Sequence, residues 1–187
     1  MTENSRLEVA LVGIIDDLES ESIPYMLIGG LALAAWTLPR ATLDIDITLW
    51  VSAENLDRVC LHLATLYISR VGDPVGFVRQ RRVLPVETVA GARLDFLFAA
   101  FPFEKEMIDR AKIRRIGNID VRVASLEDLI LLKFPSARTK DRADIETILW
   151  TFRADLDWNY LLDRADMLAE TLEQPELTSF LRSHRPK

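Results

Sequence analysis

The sequence predicts an α/β (α+β) protein: a mixed β-sheet flanked by helices, with a helical C-terminal extension. Three observations lead there. Short apolar or alternating runs suited to strands alternate with helix-period segments over the first two-thirds, and after Val123 only helix-period segments remain. The 187 residues are 49% hydrophobic and 28% charged, which suits a folded domain with a sizeable core and not a disordered chain. The most apolar stretch, Pro24 to Trp36, is too short to span a bilayer and is broken by Gly29 and Gly30.

The elements follow in order. Over residues 6–18, Leu7, Ala10, Leu11, Ile14, Ile15 and Leu18 share one helical face. Tyr25 to Ile28 is a short apolar run, read as a buried strand, and the helix LALAAWTL follows Gly29-Gly30 and stops at Pro39. Residues 44–50 alternate: Ile45, Ile47 and Leu49 face one way, Asp44, Asp46 and Thr48 the other. Ser52 is the expected N-cap of a helix reaching Leu66, with Leu56, Val59, Cys60 and Leu63 on its core face. Residues 69–76 read as a loop, 77–89 as extended, 92–99 as a strand, 103–112 as a helix, and 112–123 as a hairpin centred on Gly117-Asn118. Ser125 caps the next helix, Pro135 ends it, and helices follow at about 138–152, from Asp157, and after Pro175. The expected organisation is a core over residues 1–124 and a helical region over 125–187, packed together as one structural unit.

Composition removes several kinds of chemistry. One Cys rules out a disulfide framework, and with two His there is no Cys- or His-rich zinc site. A polar N-terminus without a signal-peptide pattern points to a cytoplasmic protein with no membrane attachment. The net charge of −6 argues against a general nucleic-acid coat. The basic clusters at 79–82 (RQRR) and 110–115 (RAKIRR) are where an RNA contact would sit, or they balance nearby acids.

Asp44-x-Asp46 is the sharpest feature. Residues two apart on a strand point to one side, and two carboxylates there stay ionised cheaply only with water or a cation between them. Hard oxygen ligands suit Mg²⁺, so the choice lies between a metal pair and the solvated face of an edge strand. Asp95, flanked by Leu94 and Phe96, is a third acid on a β-rich run. It either converges on the first two or pairs with Arg93 or another nearby base. Gly29-Gly30 between strand and helix would let a phosphate approach the backbone at a helix N-terminus, or is simply a tight turn.

Together these residues resemble a family. Leu27-Ile28-Gly29-Gly30, thirteen residues, then Asp44-Ile45-Asp46-Ile47, with Leu94-Asp95-Phe96 later, is similar to the nucleotidyltransferase superfamily of the polymerase-beta fold. Arg40-Ala41-Thr42 and the later SLEDLILLK and RTKDRADI segments resemble its bacterial minimal branch, which includes AbiEii-type abortive-infection toxins. The resemblance covers about residues 24–150. It implies that Asp44, Asp46 and Asp95 hold Mg²⁺, as two ions, and that Asp95 also helps deprotonate an acceptor hydroxyl. Gly29 and Gly30 would contact the phosphates of an NTP substrate. The family often has Ser where Gly30 stands, so Thr42 would substitute for the missing hydroxyl. Arg40 would contact phosphate or clamp an acid. Lys133 would aim at the phosphates, and Lys140, Asp141 and Asp144 match the family's later basic–acidic motif; without that role they are a snorkelling lysine and a solvated helix face. The implied activity is transfer of NMP to a hydroxyl of tRNA or protein, in a toxin or defence setting with a cognate antitoxin protein. Adenylation of an antibiotic, or a catalytically silent nucleotide- or partner-binding module, are the alternatives.

Overall fold

The computed structural model describes residues 3–37, 44–136, 138–174 and 176–186, with 3–6, 176 and 177 as backbone. The chain divides into two compact units between Ala124 and Ser125.

The first unit carries the sheet. Helix α1 (Glu3–Ser20) buries the whole face read from its periodicity, with Leu11 and Leu18 fully inaccessible and Leu7, Ala10, Ile14 and Ile15 nearly so. Each of these Leu and Ile side chains contributes about 1.5–3 kcal/mol by leaving water. The helix ends where Ser22 turns left-handed and the Ile23 N–H donates to the Leu18 carbonyl at 2.9 Å. Strand β1 (Tyr25–Ile28) and helix α2 (Gly29–Trp36) follow directly, then β2 (Asp44–Leu49), α3 (Leu56–Leu66) and β3 (Ile68–Ser69). Helix α4 (Pro74–Arg81), strands β4 (Val83–Glu87) and β5 (Arg93–Phe98), helix α5 (Pro102–Arg110) and the hairpin β6 (Lys112–Ile116) and β7 (Ile119–Val123) complete the unit.

The seven strands form one mixed sheet in the order β3-β4-β5-β2-β1-β7-β6. β2 runs parallel to β5 and β1 parallel to β7, while β1–β2, β3–β4, β4–β5 and β6–β7 are antiparallel. The inward row of β2 (Ile45, Ile47, Leu49) and that of β5 (Leu94, Phe96, Phe98) are buried, so the sheet's register is fixed by apolar burial. Trp36 anchors α2: its indole N–H donates to the Ala124 carbonyl at 3.0 Å, and the Arg114 guanidinium lies 3.9 Å over its ring.

Two local expectations are corrected. Residues 77–89 are not all extended, and 69–76 is not all loop, because α4 occupies 74–81. Its start is built by the Asp73 carboxylate, which accepts the Gly76 N–H at 2.9 Å, and by Pro74 in the first turn. Arg82, left-handed at φ 57°, closes it before β4 begins. Ser52 stands at the N-cap of a 3₁₀ turn rather than of α3, and its hydroxyl makes no capping bond. A 3₁₀ turn (Ala53–Asn55) precedes α3, and the Ser52 hydroxyl accepts from the Asn55 side chain at 3.0 Å instead.

The second unit is helical among its described residues: α6 (Leu126–Lys133), α7 (Thr139–Phe152), α8 (Trp158–Thr171) and α9 (Glu176–His184). Ser125 caps α6, its hydroxyl accepting the Asp128 N–H and donating to the Asp128 carboxylate at 2.8 Å. Asp128 is fully buried, and its second oxygen accepts from the Tyr160 hydroxyl at 2.8 Å, which ties α6 to α8. Asp157 caps α8 through the Tyr160 N–H.

Candidate active site

The site grows from the register of three strands. β1 is antiparallel to β2, so its last residue, Ile28, stands opposite Asp46, near the start of β2. β5 is parallel to β2, so Asp46 stands opposite Asp95 and Asp44 opposite Arg93. Directly opposed residues share a face, so Asp46 and Asp95 project side by side, with Asp44 two residues away on that same face. The convergence read from the sequence is therefore present at backbone level. Asp44 is exposed, and Asp46 and Asp95 are half-buried.

The carboxylates differ in their surroundings. Asp46 leans over Gly29, where a Cβ would meet its Oδ2 at 2.0 Å. Gly29 has φ +71°, so glycine is required there for conformation and for space. α2 begins at this residue, and Ile28, at its N-cap, gives no side-chain bond to the first turn. Asp95 leans the other way. Its Oδ1 is buried and makes no hydrogen bond among the described residues, and the Arg70 guanidinium lies 3.8 Å from it. Burial pushes the Asp95 carboxyl above the ordinary carboxylate range, Arg70 pulls it back, and Asp44 adds to the rise. The base beside Asp95 is thus Arg70, not Arg93.

Among the described residues, no group of three or more His, Cys, Asp or Glu side chains is gathered as a metal cluster. The three carboxylates share a face without closing on one point. Their chemistry still suits Mg²⁺: they are all-oxygen donors, on adjacent rigid strands, and one buried oxygen lacks a hydrogen-bond donor.

The remaining sequence-read residues divide. Gly30 lies in the first turn of α2. Arg40 and Thr42 fall outside the described residues. Lys140 is exposed on α7. Lys133, Asp141 and Asp144 come together in the helical unit: the ammonium lies 3.0 Å from Asp141 Oδ1 and 2.8 Å from Asp144 Oδ2, with its side chain 11% exposed and both acids 4%. Of the alternative reading, a snorkelling lysine and a solvated helix face, only Lys140 is solvated; Lys133, Asp141 and Asp144 form a buried ion cluster. Burial alone would raise the Asp141 carboxyl, but hydrogen bonds from Ser136, Lys133 and Arg138 outweigh it and bring the pKa to about 2. Arg70 was not found from sequence. It lies within SRVGDPVG, which reads as a loop, and only pairing of β3 with β4 brings it to the acids.

Residues 9–184 match the family described as a nucleotidyltransferase of unknown function (DUF6036). The chain belongs to this family. No curated protein matches it. Among solved structures, it is similar to the lincosamide antibiotic adenylyltransferase LnuA bound to lincomycin. There the TM-score is 0.52 and the identity 19%, over 74% of this chain and 93% of that one. It is also similar to ANT(2″)-Ia in complex with adenylyl-2″-tobramycin, at TM-score 0.56 and 19% identity over 95% of this chain and 98% of that one. An antigenic nucleotidyltransferase-like protein from Paracoccidioides brasiliensis aligns at TM-score 0.57 and 16% identity, over 98% and 94%. These likenesses establish the nucleotidyltransferase fold of this family member.

Proposed function

We propose that the protein is a Mg²⁺-dependent nucleotidyltransferase that moves NMP from an NTP to an acceptor hydroxyl, with Asp44, Asp46 and Asp95 as its acids. The observation that carries this reading is the register Ile28–Asp46–Asp95. It sets two carboxylates side by side at the point where β1 turns through Gly29 into α2. Mg²⁺ held by these carboxylates would supply positive charge against the triphosphate. The chain's own residues do the rest. Gly29, with no side chain, admits a phosphate to the backbone, and the first-turn N–H groups of α2, Gly30's among them, point donors at it. Asp95 accepts the acceptor's hydroxyl proton on its carboxylate; its raised affinity for a proton suits a base. The acceptor oxygen then attacks the α-phosphorus, and pyrophosphate leaves.

Arg40 and Thr42 remain candidates for phosphate contacts on sequence grounds. Lys133 and Lys140 do too, although Lys133 already has two carboxylate partners. The acceptor is RNA, protein or a small alcohol such as an antibiotic. The fold neighbours named for antibiotic adenylation support the last, and the sequence resemblance to abortive-infection toxins supports the first two.

The test is incubation of the purified chain with each α-labelled NTP, Mg²⁺, and RNA, lysate protein or aminoglycoside. Label should move to one acceptor class, and Asp46→Asn and Asp95→Asn should abolish the transfer while keeping the wild-type melting profile. Equal transfer by Asp46→Asn would overturn the assignment.

A further inference from the structure

The acids are not the only charge on the site's face. One level of the sheet runs across four strands, Ile28 on β1, Asp46 on β2, Asp95 on β5 and Pro85 on β4. Arg70, just past β3, closes the row by donating its backbone N–H to the Pro85 carbonyl at 3.0 Å. Its side chain is 42% exposed. Among the described residues its guanidinium makes no hydrogen bond, since the 3.8 Å approach to Asp95 is beyond hydrogen-bond length. The guanidinium thus stands ion-paired beside the proposed base, with its N–H donors free of hydrogen bonds among the described residues.

Its place in the row says which substrate it faces. Strands are about 4.8 Å apart, so the Arg70 backbone lies about 19 Å across the sheet from the Gly29 turn, and its side chain reaches back from that far side to Asp95, two strands from β1. Phosphates at Gly29 would lie on the β1 side of the acids and the guanidinium on the β4 side, which is the side an acceptor presenting its hydroxyl at Asp95 is free to occupy. Arg93 offers no comparable cation, because it stands in register between Glu87 and Asp44.

We propose that Arg70 reads the acceptor, and that the acceptor bears a phosphate next to its reacting hydroxyl, as a nucleotide or an RNA end does. Guanidinium forks bind phosphate oxygens in pairs, and an amine-bearing acceptor would meet repulsion at the same place. In the reaction, the acceptor hydroxyl oxygen bonds to the α-phosphorus of the NTP. The bond from that phosphorus to the bridging oxygen breaks, pyrophosphate departs with the electron pair, and the proton passes to Asp95.

This inference rests on the transferase reading, and one experiment separates their failures. The full chain is given α-labelled NTP, Mg²⁺ and three acceptors in parallel: a short RNA with a free 3′-hydroxyl, a nucleoside 5′-monophosphate, and tobramycin. Label should enter the RNA or the monophosphate, and which of the two accepts it identifies the source of the phosphate. Arg70→Ala should raise the KM and the calorimetric Kd of that acceptor about 10-fold or more and leave the KM for NTP unchanged. Arg70→Lys should recover part of the loss, and Arg70→Gln replaces the alanine variant if the latter does not fold. Transfer to tobramycin alone overturns the inference and leaves the transferase reading standing. So does an Arg70→Ala variant with an unchanged acceptor KM, or one that raises the KM for NTP equally. Absence of transfer to every acceptor class, lysate protein included, overturns both.

Discussion

Replacing Gly29 by alanine tests the site where backbone conformation and chemistry meet. The new Cβ would stand 2.0 Å from Asp46 Oδ2 and 2.9 Å from its Cγ, whereas ordinary contact begins at 3.4 Å. The carboxylate oxygen must therefore retreat by about 1.4 Å (3.4 less 2.0). An L-residue at φ +71° adds about 1–2 kcal/mol of backbone strain, and turning Asp46 off its rotamer adds about 0.5–1.5 kcal/mol. A total of about 2–3 kcal/mol lowers Tm by about 4–12 °C in a chain of this size. Misplacement on this scale at a reacting centre costs about 100-fold in rate. The assay is NMP transfer, together with calorimetry of Mg²⁺-dependent NTP binding, at a temperature well below both melting points. A Gly29→Ala protein with the wild-type rate and wild-type Tm would refute the packing of Asp46 over Gly29.

The remaining predictions test separate parts of the structure. Gly13 lies mid-helix in α1, with nothing within 4 Å of a Cβ, so Gly13→Ala should raise stability by about 0.5–1 kcal/mol in a denaturant titration with activity unchanged. Asp95→Asn should abolish transfer without lowering Tm, because the half-buried carboxylate is held above its ordinary pKa and its charge adds no stability at neutral pH. Lys133→Met removes the cation shared by two carboxylates that are each 4% exposed, and should destabilise the protein by about 3 kcal/mol by chemical denaturation, Asp141 keeping its bonds from Ser136 and Arg138. Asp141 has its pKa lowered from 3.8 to about 2, so its contribution is present above the unfolded value and lost as pH falls. Wild type should lose about 2 kcal/mol through this group between about pH 4 and pH 2, and Asp141→Asn should flatten that limb of the acid titration.

The sequence was most legible where one strong pattern set the structure. The faces of α1 and α3, the alternation of β2, the hairpin at Gly117-Asn118 and the Ser125 cap each follow from local periodicity or a local hydrogen bond. The acids were legible as well, because charges at i and i+2 on a strand share a face wherever the strand lies. Long-range pairing was not. Asp73-Pro74 carries both turn and helix-start chemistry, and α4 forms where the turn reading was taken. Lys133, Asp141 and Asp144 are charged residues at helical spacing, and a solvated face looks the same in sequence as a cluster closed on itself. Arg70 has no local signal, since its partner lies 25 positions on and two strands away.

The site depends on the core beneath it through register. Because β1 is antiparallel to β2 while β2 and β5 are parallel, the C-terminal end of β1 meets the N-terminal ends of both acid-bearing strands. That topology brings the Gly29 turn, Asp46 and Asp95 to one edge from positions far apart in the chain. A one-residue slip of β2 would turn Asp44 and Asp46 into the apolar layer and bring Ile45 and Ile47 out of it. Ile45, Ile47 and Leu49 are each 0% exposed, so such a slip would forfeit several kcal/mol of burial and also bury two charges. Polar substitution of Ile47, which contacts no substrate in this reading, should therefore disrupt NTP binding and folding together. An Asp46→Asn variant should disrupt binding alone.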